Sequence, residues 1–262
     1  MMKKTFQLLN VIFLVVTILM NYLSNTGIFN GETMASISAK YPSLFTPAGY
    51  AFSIWGLIYL GLFGFVLYYG AFSKNSETKE KTVQKIGWWF VISCICNSLW
   101  VVTWIYGYLL LSVPIMIFLL VSLFKIIGNT KEEFRSNDVK TNLFLKLPFS
   151  IYAGWISVAL IANIAAFLVK IEWNGFGIYE TTWTIIMISI AGLLHLFMIW
   201  KQKMVAFACV AVWALVAIAV ANHDRNDTVY NVALAIAAIL LVSILIYIIK
   251  DILKKRNSSV PA

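Results

Sequence analysis

The sequence contains few charged residues. Only 12% of its 262 residues are charged and 61% are apolar, whereas roughly 25% of the residues in a soluble domain are charged. A chain of this composition cannot cover its apolar side chains with a wettable surface. The composition therefore excludes an ordinary soluble domain and indicates a protein that lies in a lipid bilayer.

Acidic residues are scarce, with 11 in the whole chain, and all of them lie in loops or at the ends of apolar runs. Proton- and ion-coupled transporters usually keep an ionisable group inside the membrane, because the coupling ion needs a partner there. The absence of such a carboxylate disfavours a pump or an antiporter. It leaves facilitated diffusion open.

The chain has only three cysteines, and Cys94, Cys96 and Cys209 all lie within apolar runs. No disulfide framework is indicated. Cys94 and Cys96 are two residues apart on a predicted helix and so point to different faces, which disfavours a metal site shared between them.

Long apolar runs, in contrast, are abundant. A bilayer core about 30 Å thick needs roughly 20 apolar residues for each helical span. Eight charge-free runs approach this length: Phe6–Leu23, Tyr50–Phe72, Gly87–Tyr106, Leu109–Leu123, Leu147–Val169, Thr182–Trp200, Val205–Ala221 and Val232–Ile249. We predict an all-α, polytopic integral membrane helical bundle with about eight transmembrane helices.

The basic residues predict the orientation of these spans. If the N-terminus is cytoplasmic, 17 of the 20 Lys and Arg residues fall in cytoplasmic segments, and only Lys40, Lys170 and Arg225 fall outside. This asymmetry follows the positive-inside rule, so both termini are expected to be cytoplasmic. The net charge of +9 then reflects topology, and no nucleic-acid partner is expected. The first run also resembles a signal peptide, but its length favours a retained helix.

A few polar residues lie within the runs. Asn97 and Asn163 suit either an interhelical hydrogen bond or the lining of a ligand site, and the sequence leaves both interpretations open. His195 is interpreted as structural, because no second His, Cys or carboxylate accompanies it at metal-ligand spacing.

Tryptophans add a second pattern. Five of the ten, Trp88, Trp89, Trp173, Trp183 and Trp200, fit the aromatic belts at the membrane interfaces. Four others lie deeper, where indoles can form flat apolar walls. They are Trp55, Trp100, Trp155 and Trp213. In the third run Asn97, Trp100 and Trp104 share one helical face, and in the fifth run Trp155, Ala159 and Asn163 do the same. Such faces suit packing or a planar apolar ligand with polar edges.

These residues occur within a set of ordered motifs. The loop before the second run reads Phe45-Thr46-Pro47-Ala48-Gly49-Tyr50-Ala51-Phe52, and the run itself contains Trp55-Gly56-Leu57-Ile58-Tyr59. The third run contains Asn97-Ser98-Leu99-Trp100, and the fifth contains Pro148, Trp155, Ala159 and Asn163. In this order the motifs resemble the tryptophan-rich sensory protein and translocator protein family, TspO/MBR, over about residues 5 to 169.

The resemblance implies a five-helix TspO/MBR-like core at 1–169, followed by three additional transmembrane helices and a cytoplasmic tail at 170–262. Family members bind porphyrins and related tetrapyrroles, and in some cases sterols, in a pocket closed by the first loop. The implied ligand-binding residues are Pro47, Trp55, Tyr59, Asn97, Trp100, Trp155, Ala159 and Asn163. The long loop from Ser24 to Gly49 is expected to act as the lid.

We therefore expect a multi-pass protein of the bacterial inner or plasma membrane that binds a flat apolar ligand for sensing, transport or disposal. Its partners would be membrane lipid and a small tetrapyrrole or sterol-like molecule, and a homodimer is left open. No cofactor is required, although the ligand could be a porphyrin or haem-type molecule. The alternatives are a small-metabolite permease without an ion-coupling carboxylate, or an enzyme that acts on bound porphyrin. Enzyme activity is disfavoured, because no nucleophile, base and orienting residue occur together.

Overall fold

The computed structural model describes residues 2–70 and 77–258, without the side chains of residues 2–4, 255, 257 and 258. Helices dominate these residues, and no strand occurs among them. Some sequence predictions lie outside the described part of the chain: the end of the second run at Phe72, the topological assignment of Lys74, and the side chains of Lys3, Lys4 and Lys255.

Twelve α-helices are numbered along the described residues. They are α1 Met2–Leu23, α2 Met34–Lys40, α3 Ile54–Tyr69, α4 Glu77–Ile86, α5 Trp89–Ile105, α6 Leu109–Asn129, α7 Lys131–Arg135, α8 Val139–Thr141, α9 Leu147–Lys170, α10 Glu180–Trp200, α11 Val205–Asn222 and α12 Asp227–Ser258. Short 3-10 helices at Gly49–Ser53 and Gly175–Gly177 precede α3 and α10, and a π-helical turn at Asn142–Lys146 leads into α9.

Seven helical segments among the described residues are long and apolar enough to cross a bilayer. The pair α4 and α5 passes the same test only when taken together, with a bend of 50° between the two helices, and would bring the number of spans to eight. The break lies at Gly87, whose φ of +55° is a left-handed conformation that glycine adopts readily. The predicted all-α polytopic membrane fold is thus confirmed.

The described helices form two compact units. The first unit comprises Met1–Ser43 and Phe52–Trp173. Its five long helices pack in a closed ring in the order α1, α5, α6, α9, α3 and back to α1. The residues of this unit that face the interior of the ring are therefore drawn from helices far apart in sequence.

Glycines allow α3 to approach the start of α9 closely. A Cβ atom added at Gly61 would lie 3.2 Å from the ring carbons of Pro148, and one added at Gly64 would lie 3.2 Å from the ring of Phe144. Small residues at helix crossings permit this close backbone approach in membrane proteins. Pro148 is the second residue of α9, just after the π-helical turn, and its ring fills the contact with Gly61.

The second unit comprises Leu44–Ala51 and Asn174–Ala262. Helices α10, α11 and α12 each pack against the other two. At the contact between α10 and α12, a Cβ atom at Gly192 would lie only 2.7 Å from Cγ2 of Ile236, so this crossing requires glycine. The domain boundary predicted at residue 169 stays a prediction, while the contacts add the distant segment Leu44–Ala51 to the C-terminal helices.

The orientation in the membrane can be tested through loop residues. We propose that the loops containing Ile28 and Tyr179 lie outside and that Val139 lies in the cytoplasm, because of the distribution of basic residues. The exposed fractions of these three side chains are 66%, 84% and 75%. In a chain lacking Cys94, Cys96 and Cys209, a membrane-impermeant maleimide should label Ile28→Cys and Tyr179→Cys in intact cells, and Val139→Cys only after permeabilisation. Labelling of Val139→Cys in intact cells would contradict the orientation.

Candidate ligand-binding site

A buried amide occupies the interior of the first unit. The side chain of Asn97 on α5 is fully buried. Its Oδ1 accepts a hydrogen bond of 2.7 Å from Nδ2 of Asn21 on α1, and its Nδ2 donates one of 2.8 Å to the hydroxyl of Tyr152 on α9. The hydroxyl of Tyr59 on α3 lies 3.5 Å from the same Oδ1. Asn97 thus joins four helices, and its polar atoms are satisfied as buried polar groups require.

The sequence analysis missed the contribution of α1. Asn10, Thr17 and Asn21 are all buried, and their spacing of seven and four residues places them on one helical face. The Thr17 hydroxyl lies 3.1 Å from the carbonyl oxygen of Cys94, to which it donates a hydrogen bond. A polar stripe at helical spacing within the first apolar run was the signal that would have revealed this face.

Aromatic rings surround Trp55 on α3. The centroid of Trp55 lies 5.6 Å from that of Tyr59, with the rings nearly parallel, and 5.9 Å from that of Trp100. The ring centroids of Tyr152 and Trp155 lie 5.9 Å and 6.3 Å away, in edge-on arrangements. All these separations fall within the roughly 4.5 to 7 Å range of favourable aromatic pairs. We call Trp55, Tyr59, Trp100, Tyr152 and Trp155 the aromatic cluster.

A cavity of about 240 Å³ lies beside this cluster, between α1, α2 and α3. It is lined by Ile18, Asn21, Tyr22, Asn25, Met34, Phe52, Trp55 and Tyr59. Tyr22 and Asn25 are exposed, so the cavity opens at the end of α1. The volume is just below the roughly 300 to 1,000 Å³ of small-molecule sites, so a tetrapyrrole would require the cavity to widen.

The eight residues implied by the family resemblance differ in how they lie with respect to the cavity lining. Trp55 and Tyr59 line the cavity, and Asn97, Trp100 and Trp155 lie against these two side chains. The other three lie farther from the cavity or in the second unit: Asn163, which binds Trp100; Ala159, half-buried on α9; and Pro47, buried in the second unit. Their roles in ligand binding stay predictions.

Asn163 makes hydrogen bonds that fit a structural role. Its Oδ1 accepts a hydrogen bond of 3.1 Å from Nε1 of Trp100, and it also lies within hydrogen-bond distance of Oγ of Ser112 on α6. These contacts connect α5, α6 and α9. Of the two interpretations that the sequence left open for Asn163, the contacts favour the interhelical hydrogen bond.

Trp155 differs from its neighbours in its free indole donor. Trp100 donates to Asn163, and Trp104 donates to the carbonyl oxygen of Met34 at 3.2 Å. Trp155 is only 2% exposed, and its Nε1 has no hydrogen-bond partner. A buried N–H without a partner carries a desolvation cost that an acceptor on a bound ligand would offset.

Part of the long first loop covers the cavity. Helix α2 begins with a capping box between Thr33 and Ser36, and its first residue, Met34, lines the cavity and accepts the Trp104 hydrogen bond. Glu32 lies just before α2. The Ser36 hydroxyl and then Lys40 hold the pKa of this carboxyl group below its ordinary value by hydrogen bonding to the carboxylate. These contacts order residues 32–40, of which Met34 lines the cavity, and we call α2 the cover.

His195 belongs to the second unit. It is fully buried, its Nδ1 lies 2.7 Å from the carbonyl oxygen of Ala191, and its ring packs on Phe207 at 4.7 Å. No group of three or more His, Cys, Asp or Glu side chains suitable for a metal ion occurs within the described ranges. The packing of His195 fits the structural interpretation.

Comparison with known proteins identifies one family. A family model described as TSPO-like protein matches residues 7–246. The match extends beyond the motifs that end near residue 169 and includes α10, α11 and most of α12. No curated protein and no solved structure matches the chain.

The Asn21–Asn97 hydrogen bond can be measured in a double-mutant cycle. Asn21→Ala and Asn97→Ala should each lower the free energy of unfolding in mixed micelles. Their coupling energy should be about 0.6 to 1.7 kcal/mol, as for other interhelical hydrogen bonds in membranes. A cycle between Asn21→Ala and Ser112→Ala is the control, since Ser112 bonds to Asn163 instead. Coupling energies near zero in both cycles would show that the Asn21–Asn97 hydrogen bond does not stabilise the packing of α1 against α5.

Proposed function

Since the chain belongs to the TSPO-like protein family, we propose that it is a membrane receptor or carrier whose first unit binds a flat apolar ligand beside the aromatic cluster. The observation that carries this proposal is the cavity itself, in which two rings of the cluster, Trp55 and Tyr59, share the lining with the amide of Asn21. Porphyrins and other tetrapyrroles have the matching shape, with a planar apolar body and polar edges.

Aromatic faces supply the affinity for such a ligand. The rings of Trp55 and Tyr59 are stacked, with centroids 5.6 Å apart and an interplanar angle of 17°, and both residues line the cavity. Stacking of a planar ligand on a ring contributes about 0.5 to 1.5 kcal/mol beyond the burial of area. Ring stacking matters more in a membrane than in water, because an apolar ligand that moves from lipid into a pocket gains little hydrophobic free energy.

Polar groups would orient the ligand. The amides of Asn21 and Asn25 lie in the cavity wall. Trp155, whose indole N–H has no partner, is not part of the lining, and its ring packs edge-on against the lining residues Trp55 and Phe52. Both N–H groups of Asn21 already donate within the protein, to Thr17 and Asn97. A ligand with an acceptor at its rim, such as a carboxylate or a carbonyl, could use the indole N–H of Trp155 or the Asn25 N–H whose contact with Ser24 is long, at 3.4 Å. Reaching Trp155 would require the ring of Trp55 or Phe52 to move, which also enlarges the cavity.

The lining disfavours ion-coupled transport. It contains no Asp, Glu, Lys, Arg or His side chain among the described residues, so no group there would bind a proton or a metal ion in exchange for the ligand. Binding followed by sensing, disposal or passive transfer fits this lining better. We propose that this takes place in the bacterial inner or plasma membrane.

Titration with protoporphyrin IX tests the proposal. In nanodiscs, the wild-type chain should shift the porphyrin absorbance band and quench tryptophan fluorescence saturably. Trp155→Phe keeps a ring in place but removes the N–H donor, so affinity should fall roughly two- to tenfold, the effect of one hydrogen bond. Trp55→Leu should weaken binding further, because it removes the stacking wall.

Trp88→Phe is the matched control, since Trp88 is 56% exposed and packs on Phe6 outside the cavity lining. Its affinity should equal that of the wild type. Unchanged affinity in folded Trp55→Leu and Trp155→Phe would exclude the aromatic cluster as the site, and the absence of saturable binding by the wild-type chain would reject porphyrin as its ligand.

A further inference from the structure

The segment Leu44–Ala51, here called the strap, belongs to the second unit although it is surrounded in sequence by residues of the first. It connects Ser43, which follows the cavity cover α2, to Phe52, which lines the cavity. Nothing in the sequence motifs explains why a connection within a ligand-binding unit should be held by the three C-terminal helices.

Side chains of the second unit hold both ends of the strap by its backbone. At the first end, the N–H of Leu44 donates to Oε1 of Glu180 at 2.9 Å, and Nδ2 of Asn222 donates to the carbonyl oxygen of Leu44 at 2.9 Å. At the other end, Nε1 of Trp213 donates to the carbonyl oxygen of Ala51 at 3.2 Å. Backbone groups without such partners would be costly in an apolar environment.

The middle of the strap is fixed as firmly. The N–H of Ala48 donates to the carbonyl oxygen of Ala217 on α11 at 3.0 Å, and the ring of Tyr50 packs edge-on against Trp213 at 5.2 Å. Phe45 and Ala51 are fully buried. The strap is therefore an integral part of the second unit and not a mobile loop lying on its surface.

The chain leaves the strap directly into the cavity lining. Phe52 follows Ala51, whose carbonyl group is held by Trp213, and its ring contacts Trp155 at 6.1 Å. Trp55 comes three residues later. An indole of the second unit thus fixes the peptide group that immediately precedes the cavity residue Phe52.

We propose that Trp213 and Asn222 are positioning residues for the ligand site of the first unit, acting through the strap. By holding the strap at Leu44 and Ala51, they restrain the cover α2 upstream and Phe52 downstream, and so set how readily the cavity opens. This inference rests on the proposed function for its effect on ligand, but its effect on the cover can be measured without any ligand. It assigns a role to the three C-terminal helices.

The test uses the full chain in nanodiscs with Asn222→Ala and Trp213→Phe combined. Both changes remove donors to strap carbonyl groups. Neither should unfold α11: Asn222→Ala also removes an Oδ1 that is buried without a partner, and Trp213→Phe keeps a ring against Tyr50. Trp200→Phe combined with Asn231→Ala is the matched control. Trp200 contacts Tyr247 and Lys250, and Asn231 is exposed on α12.

Hydrogen exchange of the ligand-free protein gives the first measurement. In the strap variant, amides of Leu44–Ala51 and of Met34–Lys40 should exchange faster, by roughly fivefold for each hydrogen bond lost. Exchange within α10 and α12 should match the control, which separates release of the strap from unfolding. If the double variant does not fold, Trp213→Phe alone gives the same comparison at Ala51 and Met34–Lys40.

Release of bound protoporphyrin IX gives the second measurement. The strap variant should release the porphyrin several-fold faster than the control, because the cover opens more often. Unchanged exchange of the strap would overturn the assignment of Trp213 and Asn222. Faster exchange of the strap with unchanged exchange of Met34–Lys40 would show that the strap only completes the second unit. If the wild-type chain binds no porphyrin, the proposed function fails while exchange of Met34–Lys40 still decides the role of the strap.

Discussion

Hydrogen-bond partners stabilise an amide that is buried among membrane-spanning helices, and in the first unit Asn97 has partners at both of its polar atoms. Its two polar atoms reach Asn21 and Tyr152, on helices that lie on either side of α5 in the sequence. Leaving either partner unsatisfied in an apolar interior costs more than the bond itself contributes. The bonds therefore specify how α1, α5 and α9 face one another, and the aromatic cluster and the cavity follow from that arrangement.

Much of this architecture could be predicted from the sequence because apolar length and helical spacing are local properties. The runs predicted the long helices, and the Trp and Asn spacings on the third and fifth runs predicted faces that meet through Trp100 and Asn163. The Gly87 break was not predicted, because a glycine at the start of an apolar run does not reveal its φ. The position of Asn21 could be predicted, since Asn10, Thr17 and Asn21 share one helical face by their spacing.

The strap could not have been predicted in the same way. Leu44, Ala48 and Ala51 are held by their backbone groups, and a backbone group carries no sequence signal of its own. Their partners Glu180, Trp213 and Asn222 lie more than a hundred residues away. That the first loop, from Ser24 to Gly49, acts as a lid stays a prediction. Its first part, through Ser43, lies in the first unit and the remainder is part of the second.

The central claim is that ligand binds beside the aromatic cluster of the first unit, and a structure of the protein saturated with protoporphyrin IX tests it most directly. The porphyrin plane should stack on Trp55 or Tyr59, with a rim acceptor within hydrogen-bond distance of Asn25 or the indole of Trp155. Porphyrin density in the apolar groove between α1 and α3, lined by Val11, Leu14, Val15, Ile18, Leu19, Phe63, Val66 and Leu67, or among α10, α11 and α12, would contradict it.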